Sequence, residues 1–264
     1  MIDPARRYLP MSMLEAVVDS IAYAKLNVLH IHMTDDQSWP MQFETFPELA
    51  RLGAFSFPAH TYNATALKHL VEYSRLRGVR VILEIDTPGH SSILALTKPD
   101  VLTYCEGASY GLNYENLDPT KNGTFEYLRS LFQEAATIFP DDYLFLGGDE
   151  VATTCWANNP NVTAWLKAQG MPTDASTLQA YFENRLTTIV RTDPKISKEV
   201  IVWQEVFQTA KDPVTTLGKN AVVDVWKGQD KATLAAVTEK GLRAVLSGCW
   251  YAKSFEFQFL HRLR

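Results

Sequence analysis

Two acidic side chains stand side by side after a glycine pair in the segment LGGDEV, residues 146–151. Glycine has no Cβ, so the pair lets the chain leave a strand in a conformation closed to other residues, and Asp149 and Glu150 can then face one pocket. Ordinary retaining glycosidases hold two carboxyls about 5 Å apart, on opposite sides of the scissile bond. Sequence neighbours straddle a substrate poorly, but they can divide the labour, one protonating a leaving oxygen while the other grips a substrate group. The same segment also suits an acidic loop that merely caps the next helix. A second constellation, HIHMTDD, puts His30 and His32 on one face of a strand with Asp35 and Asp36 behind them, and Asp86 and His90 follow in DTPGH. Three readings fit, in this order: histidines hydrogen-bonded in a polar core, a carboxylate–imidazole pair of Asp35 with His90, and a metal-dependent hydrolase with histidine ligands. Trp203, Trp226 and Trp250 end or follow strands, and Trp39 follows another. Such indoles usually belong to a core, but four at one rim would suit the apolar CH faces of a sugar.

These residues need elements to hold them. Short β-branched runs are expected as strands at 27–32, 80–86, 143–146, 199–203, 221–226 and 243–247, with a further strand and its loop in the opening MIDPARRYLP. Continuous apolar runs of this length suit strands covered on both faces, hence a parallel sheet. Amphipathic stretches at 12–24, 66–77, 124–139, 176–190 and 230–240 read as the intervening helices. Alternation of this kind indicates α/β. The polar and aromatic candidates, from Arg6 through His30, Asp35, His90, Glu150 and Trp203 to Tyr251, gather where strands end. That is where the loops of a (β/α)8 barrel build a site. A doubly wound sheet would use one crevice and usually a glycine-rich phosphate loop. No such loop is present, so the expectation is a TIM-type barrel, incomplete, with about seven strands in this chain.

Composition narrows the classes. At 264 residues and 46% hydrophobic, the chain can bury one substantial core. A net charge of −5 provides no footprint for nucleic acid or an anionic membrane, and no apolar run nears the roughly 20 residues that span a bilayer. No basic-then-apolar leader opens the sequence as given. The three cysteines lack metal-ligand spacing. N-x-S/T sequons at Asn63, Asn122 and Asn161 hint at a secretory route.

In series, DPARRYLP, HIHMTDDQSWP, RLRGVRVILEIDTPGH, FLGGDEVATTCW, VWQEVF, VWK and SGCWY resemble the glycoside hydrolase family 20 β-N-acetylhexosaminidases, in order, from about Ile2 to Tyr251. GDE alone would be weak; the ordered series is highly specific. The resemblance implies hydrolysis of terminal non-reducing N-acetylglucosamine or N-acetylgalactosamine from β-hexosaminides, with no cofactor and no metal. The 2-acetamido oxygen of the sugar would itself attack the anomeric carbon, an exception to two-carboxylate chemistry. By resemblance Glu150 is the general acid and later base, Asp149 orients the acetamide, Tyr251 donates to its oxygen, and Trp203 and Trp226 wall its methyl. Arg6 binds sugar hydroxyls, Trp250 also lines the substrate pocket, and His90 with Asp35 supports the acid. Cys105 and Cys155 match a family disulfide, and with the sequons they imply a lysosomal or extracellular destination. A homodimer is a further expectation.

Departures from the pattern accompany the match. Phe145 and Arg7 stand where the family usually has histidine, and Lys253 where an Asp or Asn binds sugar hydroxyls. The expected organisation is a catalytic barrel over 1–253 and a divergent tail over 254–264. The last strand and the small preceding domain of the family are not recognisable, so the chain is expected to be truncated and to have little or no activity. A non-catalytic hexosaminidase-like protein is therefore the alternative reading, and the metal-dependent barrel hydrolase a remote one.

Overall fold

A computed structural model of the chain describes residues 1–228 and 230–250. Its strands, in chain order, are β1 (Val28–His32), β2 (Arg80–Glu84), β3 (Leu102–Tyr104), β4 (Tyr114–Leu117), β5 (Tyr143–Phe145), β6 (Glu199–Trp203), β7 (Val222–Val225) and β8 (Arg243–Leu246). Six of them form one sheet in the order β1-β2-β5-β6-β7-β8, every pair parallel, while β3 and β4 make a separate antiparallel pair. Parallel neighbours need a crossover. Helices Ala64–Arg75, Asn122–Ile138, Ala175–Thr192 and Lys231–Glu239 supply four of these, close to the expected ranges, and short helices Gln204–Thr209 and Pro213–Leu217 connect β6 to β7. Side-chain oxygens of Asn63, Asp174 and Asp230 cap three of the long helices by accepting first-turn N–H groups.

The sheet curls into a half-barrel, and alternation along its strands divides the molecule. Leu29, Ile31, Val81, Leu83, Leu144, Val200, Val202, Val223 and Val225 point outward into the main core under the helices. The intervening positions point inward: His30, His32, Ile82, Glu84, Phe145, Trp203 and Asp224. Phe145 stacks on His30 at 4.5 Å between centroids and lies 4.6 Å from Trp203. One face thus serves stability and the other chemistry.

Two expectations need correction. The opening segment is not a strand: a single bridge joins Ile2 to Ile31, through Ile2 N–H to His30 O (2.9 Å) and His32 N–H to Ile2 O (3.0 Å). Pro4 has no N–H to extend the ladder, and the Asp3 carboxylate accepts from Arg6 N–H, turning the chain away. Among the described residues the sheet therefore has six strands, where about seven were expected. Trp39 is no rim platform either. It is 2% exposed and packs against Phe43 within the main core.

Candidate active site

The adjacent carboxylates leave β5 on a turn that glycine alone makes without conflict. Gly147 and Gly148 have φ of 75° and 99°. A Cβ on Gly147 would overlap Asp86, and one on Gly148 would overlap Val206. The turn is pinned from both sides. Gly148 N–H donates to Asp86 Oδ1 (3.0 Å), and Gly148 O accepts from Gln179 Nε2 (3.1 Å) on the long helix Ala175–Thr192. Glu150 (φ 46°) and His90 (φ 51°) are themselves left-handed. Such backbone costs about 1–3 kcal/mol for a residue with a side chain and persists only where the surroundings over-determine it. Here the DTPGH turn presses on the back of the carboxylate loop, with an ideal Cβ on Gly89 3.2 Å from Asp149 O.

Burial separates the two acids. The Asp149 side chain is 16% exposed and that of Glu150 57%. The His90 imidazole lies between them, Nε2 being 3.8 Å from Asp149 Oδ2 and 3.6 Å from Glu150 Oε2. Its Nδ1 sits 3.3 Å from Asp35 Oδ1. Asp35 is fully buried, and its Oδ2 meets His32 Nε2 at 2.8 Å and the Arg6 guanidinium at 2.5 Å. Arg6 also pairs with Asp3 at 2.8 Å and donates to Gln37 Oε1 at 3.1 Å. Deeper in the barrel, Glu84 Oε2 lies 2.7 Å from both His30 Nε2 and His32 Nδ1, and Glu84 Oε1 accepts from Trp203 Nε1 at 2.8 Å. The Trp226 indole N–H donates to Glu205 Oε2 at 3.0 Å, and Gln204 Oε1 accepts from the backbone N–H groups of Trp226 and Lys227. The two indoles stand 6.4 Å apart at 67°, forming a corner.

The charges follow from these contacts. Burial disfavours a charged His32, but Glu84 and Asp35 outweigh it and push it up to about 10. His90 is likewise opposed by burial and raised to about 9 by its hydrogen bond to Asp35 and the nearby Asp149. Asp35 is penalised by burial, yet hydrogen bonds from His32 and His90 hold it well below the usual carboxylate range. Burial lifts Asp149 to about 6, with the pull of His90 and a hydrogen bond from Asp86 moderating the rise. Burial, then the charges of Asp149 and Glu84, drive Asp86 far above its ordinary value. Both carboxyls of this pair are thus shifted upward, Asp86 the more strongly because it is the more deeply buried.

Three groups have donor atoms within 4.8 Å of one another, close enough to meet around a metal ion: His32, Glu84 and Asp86; Asp35, Asp36 and His90; and Asp86, His90 and Asp149. In these groups both nitrogens of His32 already face carboxylates at 2.7 and 2.8 Å. Two of the three sequence readings have direct geometry behind them: His30 and His32 meet carboxylates on the buried inner face, and His90 pairs with Asp35.

The wider comparisons bear on this arrangement. The model of the glycosyl hydrolase family 20 catalytic domain matches residues 1–259. The chain belongs to glycosyl hydrolase family 20. It is 38% identical over 262 residues to the β-hexosaminidase subunit alpha of Rattus norvegicus, covering 97% of this chain and 48% of that protein. It is 39% identical over 255 residues to the β-hexosaminidase subunit beta of Homo sapiens, covering 95% and 44%. Among solved structures, the chitobiase of Flavobacterium johnsoniae superposes with a TM-score of 0.82 at 28% identity, over 95% of this chain and 38% of that one. The chain thus spans about half the length of the curated relatives it matches, and the curled sheet is the barrel wall of the family 20 fold.

Asp149, Glu150, His90, Asp35 and Arg6 lie in one connected group, with Trp203 buried and Trp226 half-buried beside it. Trp250 is 76% exposed. Tyr251, Lys253 and the tail lie outside the described residues. Cys105 and Cys155 are joined with their Cα atoms 5.5 Å apart, tying the β3–β4 hairpin to the helix that follows Glu150. Asn63, Asn122 and Asn161 are all exposed. Glu84, Glu205 and Gln204 went unnoticed in the sequence. The signal for Glu84 was there: a carboxylate at an inward position of the otherwise apolar run RVILE.

Proposed function

We propose that the chain is the catalytic unit of a β-N-acetylhexosaminidase, removing terminal non-reducing N-acetylhexosamine residues by a substrate-assisted retaining mechanism. The observation that carries this reading is the unequal burial of two adjacent carboxyls under one histidine. Glu150, the more exposed, reaches outward to a glycosidic oxygen as general acid, then as base towards water. Asp149 lies lower, beside the Trp203–Trp226 corner, where it orients the acetamide N–H and stabilises positive charge on the ring formed when the acetamide oxygen attacks the anomeric carbon. The His90 imidazolium, backed by Asp35, fixes both carboxylates and offsets their repulsion. Arg6 grips sugar hydroxyls, and Tyr251 is assigned the acetamide oxygen by family pattern alone. The unit acts on N-acetylglucosamine- or N-acetylgalactosamine-terminated glycans. The disulfide and the exposed sequons support a lysosomal or extracellular setting, because such bonds persist in oxidising compartments. Among the described residues no helix is long and apolar enough to cross a membrane. A homodimer belongs to the same reading, and sedimentation velocity tests it.

The deciding experiment is Glu150→Gln, assayed on two aryl N-acetylglucosaminides that differ in leaving-group acidity. The poor leaving group needs protonation and the activated one does not, so the variant should lose about 10²–10⁴-fold on the former and far less on the latter. Equal losses on both would remove Glu150 from the acid role.

A further inference from the structure

We propose that Glu84, on the barrel floor, is a positioning residue that holds the Trp203 wall of the acetamide pocket and the Asp35–His90 support of the acid in one register. The proposal rests on the hexosaminidase reading above and adds a residue that touches no substrate. Glu84 is fully buried and has contacts on both oxygens. Oε1 takes the Trp203 indole N–H at 2.8 Å, and Oε2 meets His30 and His32 at 2.7 Å. His32 carries the connection onward, its other nitrogen 2.8 Å from Asp35, whose second oxygen meets His90. A continuous path therefore runs from Trp203 through Glu84, His32 and Asp35 to His90, crossing β6, β2 and β1 before entering the DTPGH turn. A buried carboxylate is costly unless its lone pairs are filled. The Trp203 indole N–H, His30 and the His32 ring surround it, and in return Glu84 anchors the polar end of an indole whose ring packs on Phe145, His30 and Trp226. The path makes the acyl pocket and the acid's histidine a single mechanical unit, as outer contacts orient ligands in metal sites.

The test is Glu84→Gln, which keeps shape and removes charge, alongside Asp193→Asn. Asp193 is a buried carboxylate paired with Arg129 at 2.7 Å, away from the site, and controls for general loosening. For an aryl 2-acetamido glycoside, Glu84→Gln should raise KM by about tenfold, the equivalent of one lost hydrogen bond. It should also narrow the preference for N-acetyl over N-propionyl substrates and displace the pH profile of kcat. His30 and His32 on β1, Asp224 on β7, Asp86 just beyond β2 and Asp149 beyond β5 are the ionisable groups that sense the removed charge. Asp193→Asn should leave acyl preference and pH profile alone. Trp203→Phe, which deletes only the indole end of the path, should reproduce the loss of acyl preference if Glu84→Gln folds poorly. Proton NMR keeps the two readings apart, since it needs no turnover: in Glu84→Gln the His32 ring resonance and the Trp203 indole N–H resonance, assigned through Trp203→Phe, should both move. An inactive parent protein whose resonances respond in this way would refute the hexosaminidase reading and keep the path. Unchanged acyl preference, pH profile and resonances in a folded Glu84→Gln, or an unaltered preference in Trp203→Phe, would overturn the proposal.

Discussion

Asp149 and Glu150 are neighbours in the chain but not in environment. Asp149 sits against Asp86 and His90 and is lifted from 3.8 to about 6. For such a group the folded state binds its proton more tightly than the unfolded state does. Its contribution to stability is thus complete below about 3.8 and is lost as pH rises through about 6. Asp149→Asn should therefore raise stability at pH 7 by about 1–3 kcal/mol while abolishing hydrolysis. The gain should fade by pH 4, and chemical unfolding at the two pH values measures it. Asp86 stands beside it: burial and the neighbouring carboxylates push its carboxyl far above its ordinary value, while its Oδ1 accepts from Gly148 N–H and pins the turn.

At the scale of elements, the loop after β5 is where backbone and chemistry meet. Gly148→Ala would put a methyl group against Val206 and a side chain at φ 99°. The expected cost is about 2–4 kcal/mol, from overpacking and backbone strain together. Val206→Ala in the same chain should relieve the overpacking and leave the strain, giving a favourable coupling of about 1 kcal/mol or more in a double-mutant unfolding cycle. What the sequence disclosed about such elements followed their physics. Apolar runs such as EVIVW announced β6 because both faces are covered, and the long helices showed their 3.6-residue stripe. MIDPARRYLP misled because Pro4 and the Asp3–Arg6 turn stop a ladder after one bridge. The β3–β4 hairpin escaped notice because its strands are three and four residues long. Glu84 could be singled out as an inward carboxylate in an apolar run, but its contacts could not. Its partners lie 54 and 119 positions away, and no local pattern encodes a contact made by closing a sheet.

At the scale of the molecule, one covalent tie reaches the site from outside the sheet. The Cys105–Cys155 bond closes a separation of 50 residues and clips the hairpin to the helix five residues beyond Glu150. Chain entropy assigns such a loop about 4 kcal/mol. Cys155→Ser should lose about 2–4 kcal/mol of that. A reductant should lower the melting temperature of the parent protein and leave the variant's unchanged. The alternation of side chains in the half-barrel has its own result for how this sequence can vary. A replacement at Trp203 or Glu84 acts on the inner face, where the candidate site lies. A replacement one position away, at Val202 or Leu83, removes the chain itself. Inserting a single residue early in β6 disturbs both faces, because it turns Val202 towards the inner face and Trp203 into the core. A screen that scores only how much protein survives would therefore under-report the inward positions along these strands, which hold the candidate site.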